Sequence, residues 1–208
     1  MSDYKFYYFG FYVRGEPIRM LLSHAGVDYE DVVIGFDKWP EYKPTMPNKQ
    51  VPCLELKDGT RMGESYAIGR YLGSIHGYYP TDARQALEVD YLLEGYEALL
   101  SVIYKPFFAK PEEKDALIAD IFAKSLPKLL DVVEPICAKG EFLVGSKLTI
   151  ADFWIGGLYT NFINNKNIPY AQDKWGTCLD NYPNFKAYGE RFSEAVKGRL
   201  DSRPQCPV

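Results

Sequence analysis

The sequence predicts an α+β domain followed by an all-α helical bundle. Three observations carry that prediction. Up to about residue 76, short apolar and aromatic runs alternate with isolated helical patterns and turn signals. From Ala83 onward, apolar residues recur at helical spacing with little β-branched alternation. Between the two textures lies Gly77-Tyr78-Tyr79-Pro80-Thr81-Asp82, an inter-domain linker, because a helix is disfavoured running into Pro80. The expected domains are residues 1–80 and 84–208.

Within the first domain, Tyr4 to Phe9 is rich in aromatics and reads as a strand, and Gly10 to Gly15 reads as a loop. A helix follows, because Pro17 suits a first helical position and Ile18, Leu21, Leu22 and Ala25 fall at i, i+3, i+4, i+7. Gly26 is placed to end it in a left-handed conformation. Tyr29 to Ile34, with its Val32-Val33-Ile34 run, is the next strand. Phe36 to Lys49 carries Pro40, Pro44 and Pro47, which predicts an ordered loop with at most a short turn. Cys53 to Leu56 resumes strand, and the Asp58-Gly59 hairpin signal pairs it antiparallel with Arg61 and Met62. A second helix begins behind a Ser65 cap, with Ile68, Leu72 and Ile75 on one face and Gly77 as its stop. The order βαβ-ββα, with a right-handed crossover in its first unit, is thioredoxin-like.

In the second domain, helices are expected from Ala83 to about Phe108, from Glu112 to Ala138, from Ile150 to Asn164 and from Tyr182 to Val196. Pro127 and Pro135 should bend or punctuate the second of these. Thr149 with Asp152 reads as a capping box, a folding element rather than a catalytic one. The sequence shows no internal repeat.

Composition limits the function. The 208 residues are 47% hydrophobic, enough for a full core, and the formal charge is -4 with no long basic run to neutralise phosphates. Nucleic acid is therefore not an expected partner. No basic flank leads an apolar signal segment, and no apolar stretch approaches the roughly 18 residues that span a bilayer, so a soluble, cytoplasmic protein is expected. The four cysteines, Cys53, Cys137, Cys178 and Cys206, contain no CxxC pair, which argues against a zinc site or a dithiol centre and for reduced thiols. With only His24 and His76, both expected on helix surfaces, a histidine triad or metal cluster has little to work with.

The residues that invite chemistry are Val51-Pro52 and Glu64-Ser65. A Val-Pro bond just ahead of a strand can be cis, turning a backbone N–H and C=O outward to pair with a peptide, although only about 5% of X-Pro bonds in folded proteins are cis. Ser65 offers a helix N-terminus, a site for a carboxylate. Together they would grip an extended, anionic small peptide.

Tyr8-Phe9, Arg14-Gly15-Glu16-Pro17-Ile18-Arg19, Trp39-Pro40-Glu41-Tyr42-Lys43-Pro44-Thr45-Met46-Pro47, Gln50-Val51-Pro52 and Glu64-Ser65 appear in order and at the spacings of cytosolic glutathione S-transferases, which the chain resembles. It looks most like the sigma class within the tyrosine-using mu, pi and sigma group, and Thr149-Ile150-Ala151-Asp152-Phe153 extends the resemblance into the second domain. The resemblance implies that Tyr8 donates its hydroxyl to the glutathione sulfur, so that a thiol of ordinary pKa about 8.5 ionises near neutrality. Tyr7 is the competing candidate, on the opposite face of the strand. Arg14 is implied to orient Tyr8 and lower its pKa, Trp39 and Lys43 to contact the glycine-end carboxylate, and Val51, ahead of a cis Pro52 and beside Gln50, to pair with the cysteinyl unit. Ser65 would take the γ-glutamyl carboxylate and Glu64 its ammonium.

An Asp from a partner subunit is a further contact of the family, but a gapless match there gives Ala98, with Glu97 beside it. Where the sigma pattern has a second Arg-Gly step, this chain has Tyr12-Val13, which makes the loop before Arg14 bulkier. The electrophile's pocket would lie between Phe9, Phe11 and the first long helix near Tyr104 and Phe108, with Tyr104 able to hydrogen-bond developing charge. The resemblance implies a homodimeric transferase that uses glutathione as co-substrate with no tightly bound cofactor and no metal, for conjugation of apolar electrophiles in detoxification. Two other readings stay open: a glutathione-dependent isomerase of the prostaglandin D synthase type, and a non-enzymatic protein like the lens S-crystallins. A glutaredoxin-like reductase is disfavoured, because no cysteine lies at the end of the first strand.

Overall fold

The computed structural model describes residues 2–206. Its first part runs β1 (Tyr4–Phe9), α1 (Glu16–His24), β2 (Tyr29–Ile34), α2 (Trp39–Tyr42), β3 (Cys53–Leu56), β4 (Arg61–Met62) and α3 (Ser65–His76). The strands form one sheet in the order β2-β1-β3-β4, with β1 parallel to β2 and the other pairings antiparallel. This is the thioredoxin-like arrangement that the element order predicts. Because side chains alternate along a strand, β1 feeds two cores. Phe6 and Tyr8 enter the main one, while Tyr7 joins Ile34, Met46 and Cys53 in a smaller cluster. Gly26 and Gly77, at φ 66° and 83°, take the left-handed positions expected just past α1 and α3.

The segment between β2 and β3 holds more structure than a loop with a single turn. It contains α2 and two 3₁₀ turns, Lys43–Thr45 and Pro47–Lys49. Pro40, Pro44 and Pro47 each stand at the first or second position of one of these turns, where a missing N–H costs nothing. Prolines that rule out a long helix thus open three short ones.

The second part consists of α4 (Ala83–Ile103), α5 (Lys105–Phe108), α6 (Pro111–Asp120), α7 (Leu126–Cys137), α8 (Ile150–Leu158), α9 (Gln172–Thr177), α10 (Pro183–Ala195) and α11 (Lys197–Ser202). The helix expected as far as Phe108 breaks at Tyr104, because Pro106 cannot donate to the ladder and restarts the chain as α5. The run expected from Glu112 to Ala138 is two helices joined by a π-helical turn, Ile121–Ser125, directly ahead of Pro127. A second π-helical stretch, Tyr159–Ile163, extends α8 to nearly the expected length. Neither α9 nor α11 is anticipated from sequence, since six residues give too little periodicity to read.

Helix α8 lies at the centre. It packs against α4 and α10, and also against α1 and α3 of the first part. Trp154, Ile155 and Leu158 therefore share one core with Phe6, Tyr8, Met20 and Leu21. The start of α8 is fixed by the expected capping box. Thr149 donates to Asp152 Oδ2 through its backbone N–H at 2.7 Å and its hydroxyl at 3.0 Å. The same buried carboxylate accepts from the Leu143 N–H at 3.0 Å and the Tyr188 hydroxyl at 3.0 Å. Burial pushes the Asp152 pKa up while these donors pull it down. Asp152→Ala would strand several buried donors at once, and we expect it to cost about 3 kcal/mol, read as a lower denaturant midpoint.

Candidate active site

A cleft of about 660 Å³ opens between the sheet's C-terminal edge, the N-terminus of α3 and the middle of α4. Phe9 and Arg14 come from the end of β1 and the loop that follows, and Trp39 from α2. Gln50, Val51 and Pro52 precede β3, and Glu64, Ser65 and Tyr66 open α3. Arg70, Glu94 and Glu97 close the far side. The Val51-Pro52 bond is cis.

Tyr8 stands just behind this wall. Its ring is 5% exposed, and its Oη accepts the Arg14 backbone N–H at 3.3 Å. Because that oxygen is an acceptor, its own proton remains to donate, and no protein acceptor takes it among the described residues. Gly15 permits the arrangement, since a Cβ there would collide with the Tyr8 ring. Burial pushes the Tyr8 pKa up to about 12, against the opposing pull of the Arg14 N–H and of the Arg14 and Arg19 charges. The pull of Arg14 has the expected sign, and desolvation is larger. At neutral pH the group is a neutral O–H donor.

Tyr7 occupies the other face. Its hydroxyl donates to Glu55 at 3.0 Å and accepts from Arg61 at 3.2 Å, so its proton is already committed. The Arg14 side chain crosses to α4 and grips Glu97 in two parallel bonds of 2.7 and 2.6 Å. Tyr66 adds a third donor to the same carboxylate at 3.0 Å. Glu97, weighed from sequence as a contact offered to a partner subunit, is thus engaged within its own chain. Ala98 beside it is exposed and has only a methyl group to offer.

The α3 N-terminus differs in detail from the expected cap. Ser65 is the first helical residue, 4% exposed, and Glu64 takes the cap position without a side-chain cap bond. Glu64 adopts φ 67°, ψ 107°, and its carboxylate accepts from Asn48 Nδ2 at 3.2 Å. A non-glycine residue held in so sparsely populated a region is characteristic of ligand clamps. Of the other sequence candidates, Lys43 is exposed and lies outside the cleft wall. Phe11 meets Phe9 and Phe36 at a tilt, with centroid distances of 6.2 and 5.4 Å, and Phe9 meets Trp39 edge-on at 5.3 Å, forming an aromatic rim. Tyr104 is half-buried with an enclosed, unpartnered hydroxyl, whereas Phe108 is 89% exposed and apart from the cleft.

Sequence reasoning does not reach Tyr66, Asn48, Arg70, Glu94 or Phe36. None belongs to a motif, and each matters only through where the fold puts it. Glu97→Ala removes the acceptor of Arg14 and Tyr66 together; after discounting for solvent at this partly exposed pair, we expect a loss of about 1 to 2 kcal/mol in thermal unfolding.

Comparison with known proteins shows the family to which the chain is similar. Residues 15–75 match the family described as glutathione S-transferase, N-terminal domain, and residues 98–197 match glutathione S-transferase, C-terminal domain. A glutathione S-transferase of Anopheles gambiae is 31% identical over the full length of both chains. Among solved structures, the sigma class glutathione S-transferase of Fasciola hepatica superposes with a TM-score of 0.85 at 27% identity, covering 100% of this chain and 99% of that one. Prostaglandin synthase D of Nilaparvata lugens superposes at 0.83 with 29% identity, covering 97% and 99%.

Proposed function

This chain belongs to the glutathione S-transferase family and is a transferase, and from that premise we propose that its cleft binds glutathione and that Tyr8 activates the thiol. The observation that carries the proposal is the uncommitted Tyr8 proton. A hydroxyl held neutral by burial, with its oxygen already oriented by Arg14, offers its hydrogen to a sulfur anion. That bond favours the thiolate, which forms as the thiol proton passes to bulk water and is the nucleophile. The thiolate attacks an electrophilic carbon, a C–S bond forms, and the leaving group departs with the electron pair.

The tripeptide lies across the cleft in this reading. Ser65 and the α3 N-terminus receive the γ-glutamyl carboxylate, Glu64 faces the ammonium, Val51 pairs its backbone with the cysteinyl unit beside Gln50, and Trp39 serves the glycine end, with Lys43 outside the cleft wall contributing at most its charge at a distance. The apolar electrophile sits on the rim of Phe9 and Phe11, toward Tyr104. Domains 1–80 and 84–208 divide the work between glutathione and electrophile. The reading also includes sigma class membership, a cytoplasmic location and a homodimer. Met62, Tyr71, Leu87 and Tyr91, all exposed at the β4, α3 and α4 side, support the last of these.

An isomerase that returns glutathione unchanged is the second reading, favoured by the likeness to prostaglandin synthase D and by the unpartnered Tyr104 hydroxyl, which suits an oxygen-bearing substrate.

Conjugation of glutathione to an aryl halide tests the proposal. We expect Tyr8→Phe to lower kcat about 10²-fold, the usual scale for losing one donor to a developing anion. Glutathione binding without turnover in the unaltered protein would overturn it. Because the Tyr8 pKa lies near 12, its proton stays in place throughout the assay range, and activity should rise with pH through a single ionisation, that of the bound thiol. Tyr8→Phe should move that midpoint up toward the free-thiol value of about 8.5. In sedimentation we expect a species of twice the 23.8 kDa chain mass.

A further inference from the structure

The loop that carries Arg14 is held by the far end of the chain. Glu16, fully buried at the start of α1, accepts Arg199 through Nε at 2.9 Å and Nη2 at 3.0 Å, and Arg203 lies 3.5 Å away. Two residues before Arg14, Tyr12 is 4% exposed. Its hydroxyl donates to the Pro204 carbonyl at 2.8 Å and accepts the Cys206 backbone N–H at 3.2 Å. The Arg203 guanidinium sits 3.9 Å from the centre of the Tyr12 ring. Arg203 is itself anchored to the end of α8, donating to Asn161 at 2.7 Å and to the Thr160 carbonyl at 3.0 Å. Finally, the Glu16 N–H donates to the Tyr12 carbonyl at 2.6 Å, closing residues 12–16 into one turn around Arg14.

We propose that the segment from Arg199 to Cys206 is a positioning element for thiol activation: by clamping Tyr12 and Glu16 on either side of Arg14, it holds the Arg14 N–H against Tyr8. The inference rests on the reading that Tyr8 activates the thiol. It also gives the Tyr12-Val13 departure from the sigma pattern a purpose, since Tyr12 is the residue that receives the tail. The bond being protected is 3.3 Å long, near the outer limit for an N–H donor, so a shift of a few tenths of an ångström in the loop breaks it. Once it breaks, the Tyr8 O–H is free to turn about its C–O bond and its proton is no longer held toward the sulfur. Of the charged and titratable groups that face Tyr8, Arg14 lies on the clamped loop, Arg19 on α1, Tyr96 on α4, Tyr104 just past it and Cys206 on the segment itself, so displacement of loop or segment alters their field as well.

The test compares the full chain with Tyr12→Phe, which keeps the ring under Arg203 but loses both tail hydrogen bonds, and with a chain ending at Arg203. Both should retain glutathione KM within about twofold, lower kcat about five- to tenfold and raise the midpoint of thiol ionisation by about 0.5 to 1 unit, a unit being tenfold. If Tyr12→Phe does not fold, the shortened chain decides. Leu179→Ala, a core truncation far from the loop, is the control, expected to lower Tm without moving the midpoint. Folded Tyr12→Phe and shortened chains with unchanged kcat and midpoint, alongside an inactive Tyr8→Phe, would overturn the positioning role while leaving the proposed function intact. Full turnover in Tyr8→Phe would instead overturn the function itself.

Discussion

Arg14 is the residue on which the site depends, because it works with both its backbone and its side chain. The N–H orients the Tyr8 oxygen, and the guanidinium spans the cleft to Glu97 on α4. Burial pulls the Arg14 pKa down, but the Glu97 carboxylate more than offsets it, so the cation is secured. A partly desolvated charge left without its partner would be costly, and the requirement to keep this pair together fixes the separation of the two domains at the cleft. The common core of α1, α3 and α8 supplies the rigid background against which so specific a spacing can be kept.

The balance at Tyr8 shows why burial is useful here. Nearby positive charge alone would make the phenol more acidic and, taken far enough, would leave a phenolate that repels a thiolate. Desolvation works in the opposite direction and wins, so the site keeps a neutral donor beside two arginines. Those arginines, held by Glu97 and Asp31, still lend a positive potential to a developing anion.

Much of the site was legible from the chain because it is assembled from local motifs. Tyr8, Arg14, Trp39, Gln50, Val51, Pro52, Glu64 and Ser65 lie in the short runs that carry the resemblance to cytosolic glutathione S-transferases, and the fold brings all but Tyr8 directly to the cleft wall. Lys43 belongs to one of the same runs and Phe108 to the end of the expected first long helix, yet both are exposed away from the cleft, since local pattern does not fix which way a side chain leaves a short turn. The positions that went unseen, Tyr66, Asn48 and Arg70, have polar groups of a kind found on any surface. The same holds for Glu97, whose partner choice depends on how α4 sits against the first domain.

By itself the sequence determined the alternation of short strands and helices, the break in pattern after Gly77, and the capping box at Thr149 and Asp152. Each of these follows from interactions within a few residues or from the period of the apolar pattern. Only the tertiary structure decided that Tyr7 spends its proton on Glu55, that desolvation outweighs charge at Tyr8, that Glu97 turns inward to Arg14, and that α11 ties back onto Glu16 and the residues after it onto Tyr12. These last contacts join residues more than 180 positions apart. Local propensity carries no information about them, because desolvation and partner choice exist only once the chain has closed on itself.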